Sequence, residues 1–430
     1  MVESKAAGLA QPRIGSWLTR ERIAVSAALL LCFELALLAF FVAGTHGWIV
    51  PLDRPTTTDF ASFYAAGALA DAGAPQLAYD QAAHLAAEEA ATAPGIEYQF
   101  FNYPPVYLLI CAVLPALPYL VAFCVFILAS LAAYLFVARR ILEDCSGAAL
   151  LVLLAFPIVF WNIGLGQNAF LTAALFGAAT LLLDRRPILS GLYFGALCYK
   201  PHFGMLVPLA LAAGGHWRCF AAAAASACVL VLASMAVFGV ETWQAFLATA
   251  GGSHAVYESG RILLAGMVSP FGAVRLLGGA VPLAYAVQAG ASLVAAATTT
   301  LVWRRALSLP TRAAVLASAT LVALPLSLLY DLMLGAVAAL WLVRGRNGAA
   351  ARDWEWPILG VLYLVLLDGR YIAESWHVPV FPLAAIALFA LSTGRGLREM
   401  AGLGSGQGSG QRHGSGGRRQ GRPASGTLPP

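Results

Sequence analysis

Charge is what this sequence has least of. Only 11% of its 430 residues are Asp, Glu, Lys or Arg, while 60% are hydrophobic. Soluble domains carry about 25% charged residues, so the chain has less than half the charge a water-facing surface uses. Together with a mean hydropathy of +0.77, this excludes a soluble globular protein and leaves a polytopic membrane protein. The usual cysteine chemistry is also missing. Cys32, Cys111, Cys124, Cys145, Cys198, Cys219 and Cys228 form no Cys-x-x-Cys pair and sit mostly in apolar runs. That excludes a disulfide framework or zinc site, and the cysteines read as small buried hydrophobes. No His-Glu-x-x-His, Gly-x-Ser-x-Gly, Asp-x-Asp or Gly-x-x-x-x-Gly-Lys motif occurs. Nothing therefore calls for a metal, nucleotide, flavin or haem, and no cofactor is expected. No repeat with a period of about 20–50 residues is visible, so the internal symmetry of many transporters is not evident.

The charge that is present is unevenly placed. Gly394–Pro430 holds six arginines (Arg395, Arg398, Arg412, Arg418, Arg419, Arg422) against Glu399 alone. Gly44–Pro105 holds seven acids (Asp53, Asp59, Asp71, Asp80, Glu88, Glu89, Glu97) against Arg54. The net charge of +5 thus conceals a basic end and an acidic loop.

Residues 1–22 are polar and basic, with Lys5, Arg13, Arg20 and Arg22, and precede a 21-residue apolar run, Ile23–Ala43. That run is longer than a signal-peptide core of about 7–15 residues, and reads as an uncleaved signal anchor with a cytoplasmic N-terminus. In Gly44–Pro105, Phe60, Phe63, Tyr64, Gly67 and Ala68 recur at helical spacing, as do Ala78, Ala82, Leu85 and Ala86. Two short helices along the membrane surface are expected there. Val106–Val137 is apolar for 32 residues but contains Pro115 and Pro118. As one helix it would be about 48 Å long, well beyond a bilayer core of about 30 Å, so it is one kinked pass or two short ones. Nine further runs follow between Ala148 and Leu391, several too short to span untilted. Interrupted segments of that kind suit broken helices around a protein-lined cavity. The expected fold is an all-α integral membrane bundle of about 10–12 membrane segments, with a long outer first loop carrying the surface helices. Its divisions are a cytoplasmic segment 1–22, a membrane domain 23–393 and a disordered Gly/Ser/Arg tail 394–430. The tail's charges favour the cytoplasmic leaflet over nucleic acid.

Lys/Arg clusters at Arg139–Arg140, Arg185–Arg186, Arg218, Arg304–Arg305 with Arg312, Arg344 with Arg346 and Arg352, and in the tail mark cytoplasmic turns. All fall inside if 106–137 is one pass and Ile188–Ala213 a hairpin. The acidic loop, Gly164–Asn168, Val240–Val281, Tyr330–Asp331 and Asp368–His377 then share the outer face.

Several polar residues on that face could carry chemistry. Asp59, flanked by Phe60 and close to the bilayer, is desolvated enough for a general base; it is equally a helix N-cap. Lys200, in Cys198-Tyr199-Lys200-Pro201-His202, interrupts a 26-residue apolar run. A lysine and histidine at a proline break suit an anion such as phosphate, the alternative being a snorkelling lysine. Gly164-Leu165-Gly166-Gln167-Asn168 offers amides to hydroxyl-rich ligands, or is a simple turn. Asp331 is either an ion-pair partner of Lys200 or Arg370, or a ligand contact. Arg370 could bind phosphate or pair locally with Asp368. His254, with Glu258 and Arg261 nearby, could carry a proton, although a lone loop histidine usually does nothing of the kind.

Taken in order, these pieces resemble glycosyltransferase family 87, integral membrane enzymes of the GT-C class. The resemblance is carried by Asp59-Phe60 with Tyr64 and Ala66-Gly67, Ala78-Tyr79-Asp80, Asn102-Tyr103-Pro104-Pro105 and Gly166-Gln167-Asn168. It continues through Gly191-Leu192-Tyr193-Phe194-Gly195 to Lys200-Pro201, His216-Trp217-Arg218, Phe271-Gly272-Ala273-Val274-Arg275-Leu276-Leu277 and Tyr330-Asp331-Leu332. It implies transfer of a hexose, with mannose the expected sugar, from a polyprenyl-phosphate sugar to a lipid or glycan acceptor. The reaction would take place on the outer (periplasmic or extracellular) face of the cell membrane, with both termini cytoplasmic. Asp59 would be the general base. Lys200, His202 and Arg370 would hold the donor phosphate, and Tyr64, Tyr103, Gln167, Asn168 and Asp331 the sugar or acceptor. A transporter or flippase of a lipid-linked substrate is the competing function.

Overall fold

The computed structural model describes residues 19–43, 58–250, 264–305 and 307–410. Its helices are α1 (Arg20–Ala43), α2 (Phe60–Asp71), α3 (Gln81–Ala91), α4 (Pro105–Cys111), α5 (Tyr119–Leu142), α6 (Gly147–Leu154) and α7 (Pro157–Leu165). Then follow α8 (Ala169–Leu182), α9 (Pro187–Ala196), α10 (Val207–Ala213), α11 (Trp217–Phe238), α12 (Val240–Ala250), α13 (Pro270–Leu276) and α14 (Val281–Trp303). The chain ends with α15 (Leu309–Ala323), α16 (Met333–Arg344), α17 (Glu355–Val365), α18 (Gly369–Trp376) and α19 (Val380–Gly410). There is no β-strand among the described residues. Among the described residues, five helices (α1, α5, α11, α14, α19) are long and apolar enough to cross a membrane. The count becomes seven if the bent pairs α6–α7 (55°) and α17–α18 (71°) are each one span. Shorter apolar helices, among them α8 and α15, complete the bundle.

Burial sorts these helices into an inside and an outside. In α15 every residue from Ala313 to Ala323 is buried, as expected of a helix that is apolar all round and central. By contrast α11 leaves Val229, Leu232 and Val237 exposed, and such apolar surfaces belong in lipid. Cys32, Cys124 and Cys228 lie in long apolar helices and are exposed, as is Cys145; only Cys111 and Cys219 are buried. The expectation of uniformly buried cysteines is therefore corrected: most of them face outward, where a lipid-facing position suits a small apolar side chain equally well.

Other expectations also change. The 106–137 run is broken at its prolines into α4, a short turn and α5, so a single helix, α5, has spanning length. α3 keeps an exposed face, but α2 buries Phe60–Phe63 and Ala65–Gly67 and so is not a surface helix. Its Gly67 makes this possible: a Cβ there would lie 2.1 Å from the Cys111 carbonyl oxygen, so α2 and α4 touch backbone to backbone. The C-terminal tail does not begin at Gly394, because α19 runs through it. Arg395 and Arg398 both donate to the buried Glu355. Glu399 accepts from the Ser308 hydroxyl at 3.0 Å and from Thr311 at 2.6 Å. Residues that read as a solvated basic tail are in fact tied to the bundle.

The ion pairs reveal a polarity. α5 starts at Tyr119, 3.5 Å from the Thr58 hydroxyl, and ends with Arg139 and Arg140. α8 starts after Asn168 and leads to Arg185–Arg186; α16 starts after Asp331 and ends at Arg344. α15 runs the other way, with Arg312 in its first turn. At about 1.5 Å per residue these helices hold the basic end about 18–36 Å from the other.

Candidate functional site

Opposite the basic end, two turns are pressed together. The Asp59 N–H donates to the Leu165 carbonyl at 2.9 Å. Gly166 closes α7 in the left-handed conformation (φ 67°), and a Cβ on it would meet the Phe60 Cβ at 2.7 Å. Only glycine satisfies both conditions. Phe60 is wedged among Tyr119, Phe123 and Phe126, with ring centroids 5.3–5.6 Å away, which fixes the start of α2 against α5.

Asp59 precedes α2, yet its carboxylate makes no capping bond. Instead Oδ2 accepts from the Gln167 side-chain amide at 2.6 Å. The orientation of that amide is set from behind, because Gln167 Oε1 accepts from the Tyr103 hydroxyl (3.4 Å) and the Asn168 N–H (3.2 Å). Its NH2 must therefore face Asp59. Burial raises the Asp59 pKa, and the Gln167 hydrogen bond and the Lys200 charge partly offset the rise.

Lys200 reaches the same cavity along a hairpin. Arg312 donates to Asp184 at 3.2 Å and to His216 at 2.8 Å, so residues 187–213 leave from and return to one point at the basic end. α9 can run closely against α11 because Gly191 and Gly195 lack side chains. A Cβ at either would lie 2.4 Å from a carbonyl oxygen, of Cys219 and Ala223 respectively. This is the small-x-x-x-small packing of membrane helices. At the tip, Pro201 ends the helical run and Lys200 turns inward, 4% exposed. Its Nζ donates to Asp331 Oδ1 at 3.2 Å. It also lies 5.2–5.7 Å from the ring centroids of Tyr330, Phe203 and Tyr103, within cation–π range. Asp331 Oδ2 accepts from the Leu328 N–H at 2.9 Å.

These groups line one cavity of about 380 Å³. Of the residues singled out in the sequence, Asp59, Tyr103, Gln167, Lys200, His202 and Asp331 line it. Tyr64, Asn168 and Arg370 do not. The Tyr64 hydroxyl donates to the Leu117 carbonyl at 3.0 Å. Asn168 is fully buried behind the wall. Arg370 pairs with Glu374 at 2.8 Å and lies over Trp161. His254, Glu258 and Arg261 lie outside the described residues. Sequence reasoning missed Ser62, Gln99 and Tyr199 in the lining. It also missed the wholly buried His84 and Glu88 behind it, whose Nδ1 and Oε1 are 3.5 Å apart. Burial lifts Glu88 to about 8 and lowers His84 to about 4. The i,i+4 spacing of a histidine and a glutamate on an apolar helix face was the available signal.

The fold and site define a multi-pass helical membrane protein with a polar cavity at the end of its helices away from the arginine clusters that close α5, α8 and α16. The model of glycosyltransferase family 87 matches residues 100–329, more than half of the chain, and the chain belongs to that family. It is a membrane glycosyltransferase. No curated protein and no solved structure shows a match. Tyr103, Gln167, Lys200 and His202 fall within the matched span; Asp59 precedes it and Asp331 follows it by two residues.

Proposed function

We propose that the enzyme transfers a hexose, mannose in the first instance, from a polyprenyl-phosphate sugar to a lipid or glycan hydroxyl, with Asp59 as general base. The observation that carries this reading is that one cavity is lined by a carboxylate whose basicity burial has raised and by a buried lysine. Asp59 takes the proton of the acceptor hydroxyl as that oxygen attacks the anomeric carbon. The bond from that carbon to the phosphate oxygen breaks, and its electron pair leaves on the polyprenyl phosphate. Lys200, with His202 beside it, stabilises the departing charge. A single displacement of this kind inverts the anomeric centre. Gln167 holds Asp59 in place, and Tyr103 holds Gln167.

The membrane face is argued from charge. Arginines gather at the ends of α5, α8 and α16 away from the cavity, and basic ends stay cytoplasmic. This supports a cavity opening on the periplasmic or extracellular side, where a lipid-linked donor is accessible and nucleotide sugars are not. A phosphodiester monoanion also needs less charge compensation than a nucleoside diphosphate, in keeping with one lysine in the wall. The reading is tested by giving purified protein either a polyprenyl-phosphate mannose or a nucleotide-linked mannose with a lipid acceptor extract. Transfer from the lipid donor alone is expected; transfer from the nucleotide donor alone would overturn the reading.

A further inference from the structure

The cavity is built for an anion, yet its lysine is already occupied. Asp331 is 4% exposed and holds Lys200 at 3.2 Å. With Asp59 also in the wall, the acidic side chains lining the cavity outnumber its lysine. An incoming phosphodiester therefore competes with a carboxylate already in place. Breaking a buried ion pair without replacing both halves leaves an uncompensated charge and is strongly unfavourable. The exchange works only if the ligand supplies an anion for Lys200 and hydrogen-bond donors for Asp331 together.

We propose that Asp331 is the cavity's internal substitute for the donor phosphate. It holds Lys200 in the empty enzyme, yields it to the sugar-bearing phosphodiester while turning to the sugar hydroxyls, and reclaims it from the sugarless product. The inference rests on the donor class proposed above.

Three features of the geometry support the exchange. First, the rings of Tyr103, Phe203 and Tyr330 hold the ammonium by cation–π attraction, so Lys200 stays in place when Asp331 lets go. Second, Asp331 is anchored through Oδ2 to the Leu328 N–H, so Oδ1, the atom on Lys200, is the one that changes partner. Third, the two ligand types differ in what they offer. A sugar phosphodiester brings hydroxyl donors to Asp331. The product polyprenyl phosphate is a monoester with more negative charge and no sugar hydroxyls, and sets like charge against Asp331. The pair thus discriminates substrate from product and drives release after transfer.

The experiment uses full-length protein in detergent with a polyprenyl-phosphate mannose as donor and polyprenyl phosphate of the same chain length as inhibitor. In the wild type the inhibition constant of the bare phosphate should lie well above the donor KM. In Asp331→Asn it should fall about tenfold or more, because the competing charge is gone, while the donor KM stays level or rises through loss of the sugar contact. A merely structural Asp331 would lower the amount of folded enzyme and leave the ratio of inhibition constant to KM unchanged, and that result overturns the proposal. If Asp331→Asn does not fold, the wild-type ratio decides: a bare phosphate that binds as tightly as the donor overturns it. Wild-type protein that uses no lipid-phosphate sugar at all removes the donor reading itself, a result distinct from either.

Discussion

At the residue scale, the proposed base chemistry depends on how Asp59 is held. Burial raises its proton affinity, and the Gln167 amide works against that rise. A base must be deprotonated, so activity is lost as pH falls through the pKa of Asp59, and the acid limb should lie above the ordinary carboxylate range. Gln167→Ala removes an influence that lowers this pKa. The limb in a kcat/KM profile should therefore move to higher pH; a shift to lower pH would contradict the assignment. Tyr103→Phe takes away one of the two donors that orient Gln167 and should move the limb the same way by less. Lys200 was legible in the sequence because it is charged where apolar residues are the rule, and Asp59 and Gln167 because each sits beside a helix start in a turn expected on the outer face. Arg370 was equally conspicuous, but a partner one helical turn away, Glu374, claims it, and sequence order does not reveal which way a side chain turns. Ser62 and Gln99 were invisible for the opposite reason: they are ordinary polar residues, and only the fold brings them to the cavity.

At the element scale the hairpin that carries Lys200 depends on Gly191 and Gly195. A side chain at Gly195 would collide with the Ala223 carbonyl oxygen and with Ser226 Cβ at 2.5 Å. Gly195→Leu should force α9 off α11 at a cost of about 1–3 kcal/mol. Thermal unfolding in detergent should show the loss, and the donor KM should rise as Lys200 shifts. Unchanged stability would mean that the helices do not need this contact. Here the sequence was informative where proline spoke: Pro115 and Pro118 mark the break between α4 and α5. It misled where composition spoke. Gly394, Gly396 and the arginines nearby have the composition of a flexible tail, yet Arg395, Arg398 and Glu399 find partners on α17 and at the start of α15. Such partners are far away in sequence and leave no local pattern. α2 is a similar case, since its helical spacing was readable but its backbone contact with α4 through Gly67 was not.

At the scale of the whole molecule, the ion pairs that join different helices separate by end. Asp184 and Arg312, Glu143 and Arg344, and Glu355 with Arg395 and Arg398 pair at the basic end. Lys200 and Asp331 pair in the cavity at the other end. That division agrees with the arginine clusters in the sequence, on which the proposed orientation rests. It also has a direct check. In an otherwise cysteine-free protein, a cysteine at the exposed Glu97, two residues from cavity-lining Gln99, should react with a membrane-impermeant maleimide in intact cells. A second variant that keeps only the native Cys145, exposed near Arg139, should react only after permeabilisation. The reverse pattern would place the cavity on the cytoplasmic side and remove the argument for a lipid-linked donor.

The proposed mechanism turns on Asp59 taking the acceptor's proton in sugar transfer. The most direct test is the single-turnover rate of mannose transfer from polyprenyl-phosphate mannose by wild-type and Asp59→Asn protein, with donor binding measured alongside. The asparagine keeps the size of the side chain but cannot accept the proton. The rate should fall by about 10²–10⁴-fold with donor affinity little changed if Asp59 is the base. Transfer by Asp59→Asn at the wild-type rate would contradict it.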